Sequence, residues 1–113
     1  MRIYFKTRKL QKTCSQADES RKRLGAKGGR KLQQRMMELK AAENLTDISR
    51  LPPARCHELT GNRAGQLSVD LEHPYRLLFI VKNDPYPEQK SGGLDWKSVT
   101  EIEVIAIADT HGE

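Results

Sequence analysis

The apolar residues of this 113-residue chain change their period at Pro52-Pro53, and that switch constrains the fold more than any single motif. Upstream, Leu32, Met36 and Leu39 recur at i, i+4 and i+7, which lays one apolar stripe along a helix. Downstream, Leu67, Val69 and Leu71 alternate with Ser68, Asp70 and Glu72, the pattern of a half-buried strand. Two adjacent prolines cannot continue a helix, so the helical block ends where they stand. The expected chain is a first strand, a helical block and three strands that pair antiparallel. That is a single small α+β domain over 1–113, with its helices packed on one face of the sheet.

The elements follow from local chemistry. Ile3, Tyr4 and Phe5 sit between Arg2 and Lys6 and predict a first strand over residues 2–6. Thr7 is placed to cap a short helix carrying Leu10 and Cys14 at i, i+4. Residues 15–24 read as helix, with Asp18 and Glu19 early and Arg21, Lys22 and Arg23 late, an order that suits the helix dipole. A longer helix is expected over 26–43. Gly28-Gly29 interrupts it, and each glycine costs a helix about 1 kcal/mol relative to Ala. Either that helix starts after them, or a backbone packs closely there. Leu45, Ile48 and Leu51 suggest one more helical turn. His73-Pro74 reads as a turn, and residues 75–82 are almost continuously apolar, as in a central strand covered on both faces. A long loop over 83–99, in which Trp96 reads as a loop anchor with stacking on an RNA base as the alternative, precedes a last strand over 100–108. There Ile102, Val104, Ala106 and Ala108 are expected on one face and Ile105 and Ile107 on the other.

Composition narrows the function classes. Only 36% of residues are hydrophobic and 5% aromatic, so the core is thin and aliphatic. No apolar run approaches the roughly 20 residues that span a bilayer. The N-terminus lacks a signal-peptide core, so the expectation is a cytoplasmic protein without a membrane partner. Cys14 and Cys56 make no disulfide framework, and the adjacent pair Cys56-His57 is not metal-ligand spacing. Charge is more telling. Residues 1–40 hold 13 Lys/Arg against 3 Asp/Glu, whereas residues 41–113 hold 7 against 12. A strongly basic first third suits a polyanion partner, although a solvated helix face has the same composition. Gly25-Ala26-Lys27-Gly28-Gly29-Arg30-Lys31 is no phosphate-binding loop: the spacing is wrong and no hydroxyl follows the lysine.

Several segments taken together resemble the RelE/ParE toxins of bacterial toxin–antitoxin systems. They are the Leu51-Pro52-Pro53 break after the helices, the loop Leu59-Thr60-Gly61-Asn62-Arg63-Ala64-Gly65, the strand Tyr75-Arg76-Leu77-Leu78-Phe79 and the C-terminal Asp109-Thr110-His111. Within that group, Leu51-Pro52-Pro53-Ala54-Arg55-Cys56-His57 and the Gly92-Gly93 loop are similar to the HigB-like branch. Three residues depart from the family pattern: Thr60 stands where many relatives carry Lys, and Thr110 and Gly112 flank His111 where a Tyr is common on one side. The resemblance implies an RelE/ParE-like fold and a ribosome-dependent mRNA endonuclease that needs no cofactor or metal. It also implies a helix-turn-helix antitoxin as partner, with operator DNA bound only through that antitoxin. ParE-like members inhibit DNA gyrase instead, and a non-catalytic binding module is a third reading.

Metal-free RNA cleavage needs a base, an acid and cations that hold the phosphate. Histidine titrates near pH 6.5 and suits either proton transfer. Arginine offers a fork of donors matched to phosphate oxygens. The resemblance therefore implies Arg76 as the phosphate clamp and His111 as acid or base, with His57 as its partner. Arg55 and Arg63 would hold flanking phosphates. Lys27, Arg30, Lys31 and Arg35 would face ribosomal RNA. For Arg76 the competing reading is a structural ion pair with Asp70 or Asp109, and for His73 a simple turn position.

Overall fold

The computed structural model describes residues 1–109, and its core is a five-stranded sheet faced by a helical layer. In chain order the elements are β1 (Arg2–Phe5), α1 (Arg8–Ser15), α2 (Ala17–Ala41), β2 (His57–Glu58), β3 (Gln66–Asp70), β4 (Tyr75–Val81) and β5 (Glu101–Asp109). Short 3-10 turns lie at Leu45–Asp47, Gly61–Arg63 and Trp96–Ser98. The strand order is β1-β5-β4-β3-β2, with β1 parallel to β5 and the other neighbours antiparallel. The α+β class and the antiparallel run of the last three strands match the sequence expectation. The two-residue strand β2 has no counterpart in that expectation.

The first helix begins as its cap predicts: the Thr7 side chain accepts a hydrogen bond from the Leu10 backbone N–H at 3.1 Å. Helix α2 bends sharply at Gly25, whose φ of 80° lies in the left-handed region that side chains avoid. The two halves of α2 then fold against each other. A Cβ on Gly29 would lie 2.9 Å from the Arg21 backbone nitrogen and 3.0 Å from its Cα. Close backbone packing, rather than a late helix start, therefore accounts for Gly28-Gly29. Gln33 fastens this hairpin, donating to the Cys14 carbonyl at 3.1 Å and to Ser20 Oγ at 2.7 Å.

Leu32, Met36 and Leu39 are buried as one stripe against Leu67, Val69, Leu77, Phe79, Ile102, Val104 and Ile107 of the sheet. Leu77, Leu78 and Phe79 are consecutive and all fully buried, so β4 is covered on both faces as predicted. Two expectations fail. Leu45 and Ile48 are buried, but Leu51 is 72% exposed, because the turn at Leu45–Asp47 does not continue into a helix. In β5, Leu78 pairs with Ala106 and Phe79 with Val104, which leaves Ile105 as an extra residue. This bulge reverses the alternation, so Ile102, Val104 and Ile107 share the core. Among the described residues no helix is long and apolar enough to cross a membrane.

Candidate active site

The sheet register sets the site. His57 pairs with Ser68, Ser68 with Leu78, and Asp70 with Arg76. Side chains alternate along a strand, so His57, Ser68, Asp70, Arg76 and Leu78 project from the face opposite the buried stripe. On that face His57, Glu58, Leu59, Thr60, Arg63 and Arg76 line a cleft of about 190 Å³. Three residues proposed from sequence, 57, 63 and 76, thus meet across β2, the following loop and β4.

The ring of His57 is oriented by a backbone carbonyl. Its Nδ1 lies 3.0 Å from the Arg55 oxygen. A carbonyl can only accept, so this contact is a hydrogen bond when Nδ1 carries the proton, and a neutral ring in that tautomer has its lone pair on Nε2. That nitrogen can take a proton from a bound hydroxyl.

Asp70 organises the cations. The Arg55 guanidinium donates to it through two bonds, Nε to Oδ2 at 2.7 Å and a terminal nitrogen to Oδ1 at 3.1 Å. This fork holds the Arg55 pKa above its ordinary value. Arg76 Nε lies 3.6 Å from Asp70 Oδ1, an ion pair beyond hydrogen-bond length. The structural partner considered for Arg76 is therefore present, but loosely, and one carboxylate serves two guanidiniums. Arg55, Asp70 and Arg76 together carry one net positive charge.

Glu58 was missed by sequence reasoning. Its Oε2 accepts a hydrogen bond from Trp96 Nε1 at 3.1 Å, which ties β2 at the edge of the cleft to the Trp96 loop. No local signal announces it, since Trp96 is 38 residues away in sequence. Trp96 is the loop anchor expected: it is 6% exposed, with the Arg50 guanidinium 3.9 Å above its ring. That cover leaves no open ring face for a base.

The helical cations do not join the cleft. Lys27 and Lys31 pair with Glu72 at 3.5 and 2.7 Å and draw its carboxyl below the usual carboxylate range, mainly through the Lys31 hydrogen bond. Arg30 is exposed beside Arg21, Met37 and Lys40 in a separate groove of about 610 Å³ between the halves of α2. Arg35 corrects the sequence expectation. It is 4% exposed, its Nε donates to the Asp70 carbonyl at 2.8 Å and its terminal nitrogen lies 3.4 Å from Glu38. A guanidinium so enclosed braces β3 and has no surface to offer RNA. His73 lies in the β3–β4 turn. His111 lies outside the described residues. The last described residue, Asp109, pairs with Tyr75, and Ala108 pairs with Arg76.

Protein-family models and curated proteins yield no match to this sequence. Among solved structures, the chain is similar to a YoeB/ParE toxin from Agrobacterium tumefaciens, with a TM-score of 0.57 and 17% sequence identity. The likeness covers 96% of this chain and 98% of that one. The chain thus has an RelE/ParE-like fold, a mixed α+β arrangement whose five-stranded sheet carries the cleft on the face opposite the buried stripe.

Proposed function

We propose that this protein is the toxin of a toxin–antitoxin pair and cleaves mRNA on the ribosome. The observation that carries this reading is the cleft in which His57, Arg63 and Arg76 converge, with His57 Nδ1 held 3.0 Å from the Arg55 carbonyl. In the proposed reaction Nε2 takes the proton of a ribose 2′-hydroxyl. The 2′-oxygen attacks the adjacent phosphorus and the bond to the 5′-oxygen breaks. The products are a 2′,3′-cyclic phosphate and a 5′-hydroxyl. Arg76 and Arg63 stabilise the charge that builds on the phosphorane oxygens. His111 follows Asp109 by two residues and is assigned the proton donated to the leaving oxygen.

The fold of the YoeB/ParE toxin supports a toxin role with an antitoxin partner, for which a helix-turn-helix protein is proposed. Arg30, with Lys27 and Lys31 nearby, is assigned a salt-sensitive contact to ribosomal RNA. A HigB-like assignment is part of the same proposal, resting on residues 51–57.

The test is induction without antitoxin, followed by mapping of mRNA 5′ ends. Wild type is expected to give cuts within translated messages. Arg76→Ala, His57→Gln and His111→Ala each lower cleavage by about 10²–10⁴-fold, the range of a lost proton-transfer or charge-stabilising group. Intact mRNA with chromosomal breaks would replace this reading with gyrase inhibition.

A further inference from the structure

We propose that Asp70 and Arg55 are positioning residues whose ion-paired fork sets the tautomer of His57. The inference rests on the reading of His57 as the base. Arg55 has a φ of 47°, the single left-handed non-glycine residue among those described. A side chain disfavours that conformation, so something must hold it. The holding contacts are on both sides of the chain. Asp70 takes the guanidinium in two bonds of 2.7 and 3.1 Å. The Asp70 backbone N–H also donates to the Ala54 carbonyl at 2.8 Å. Asp70 is itself held, because buried Arg35 donates to its carbonyl at 2.8 Å.

The consequence is directional. With residues 54 and 55 clamped to the end of β3, the Arg55 carbonyl points at His57 Nδ1, two residues ahead and 3.0 Å away. Arg55 thus acts on the site through its backbone, although sequence reasoning assigned its side chain to RNA. Without the clamp the left-handed turn relaxes, Nδ1 loses its acceptor and the imidazole is free to carry its proton on Nε2. In that tautomer the atom facing the cleft is a donor and cannot act as a base.

The tautomer can be read without RNA, ribosome or activity. Long-range ¹H–¹⁵N correlation spectra of the full chain distinguish the two forms at a pH about two units above the ordinary imidazole value of about 6.5. His57→Gln assigns the signal. Wild type is expected to show the Nδ1–H form. Asp70→Asn keeps the side-chain volume and removes the charge, and it should shift the tautomer ratio about fivefold or more towards Nε2–H, the factor an ordinary hydrogen bond supports. Arg55→Ala should shift it at least as far. Arg55→Gly should shift it less, because glycine adopts φ of 47° without strain and keeps the carbonyl aimed. An unchanged ratio in Asp70→Asn, a wild-type ring already in the Nε2–H form, or equal shifts for Ala and Gly at 55 would each overturn the proposal. Absent mRNA cleavage alongside the expected shifts would overturn the nuclease reading and leave the positioning role standing.

Discussion

Replacing Arg35 by Ala separates a structural arginine from an RNA contact. The side chain is 4% exposed, so its loss is felt inside the protein. Three terms contribute. A charged donor to a carbonyl contributes about 1.5–3 kcal/mol, and here the acceptor is Asp70 O at 2.8 Å. The 3.4 Å contact to Glu38, whose side chain is one-third exposed, adds about 0.5 kcal/mol or less. Truncating the buried stem adds about 1 kcal/mol for each methylene whose cover is lost. With two methylenes lost, the sum is about 3.5–5.5 kcal/mol, a large part of the roughly 5–15 kcal/mol that holds a domain of this size. Thermal unfolding followed by circular dichroism should show a midpoint lowered by about 15–25 °C. Arg35→Met keeps the stem and should lose about half as much. Arg30→Ala, at an exposed site, should stay within about 0.5 kcal/mol of wild type. An Arg35→Ala protein as stable as Arg30→Ala would refute the bracing role.

Two other perturbations test the fold. Gly29→Ala gains about 1 kcal/mol of helix propensity but forces a Cβ to within 3.1 Å of the backbone of Ser20 and Arg21. Backbone cannot yield as a side chain can, and overpacking costs about 1–3 kcal/mol, so net destabilisation is expected in urea unfolding; a stabilised variant would show that the hairpin opens freely. Burial pushes the Cys14 thiol up to about 11 and the Cys56 thiol up to about 12, both from 9.0. The folded state therefore keeps protons that the unfolded chain releases above pH 9.0, and stability should fall as pH climbs from there towards the folded values. Cys56→Ala should flatten that decline. At pH about 8 neither thiol should react with iodoacetamide until denaturant is added, since only an accessible thiolate attacks.

The sequence alone determined what depends on neighbours within a few residues. The Thr7 cap, the Leu32-Met36-Leu39 stripe and the alternation of Leu67, Val69 and Leu71 all appear where they were read, because side-chain period and local hydrogen bonding specify them. The residue types of the site were legible too, through the arginines and histidines around the Leu59–Gly65 loop. Their roles were not. Arg35 lies four residues beyond Lys31, yet Lys31 reaches Glu72 at the surface while Arg35 is sealed against the Asp70 carbonyl, a partner 35 residues distant. Arg55 looked like a phosphate contact and is tied to Asp70, 15 residues on. Glu58 had no signal at all until Trp96 came to hold it. The bulge at Ile105, which decides which isoleucines face the core, exists only in the pairing of β5 with β4. A period reports which face a residue is on. Only tertiary structure decides what that face meets, because burial, ion pairing and tautomer are set by groups brought close from far along the chain.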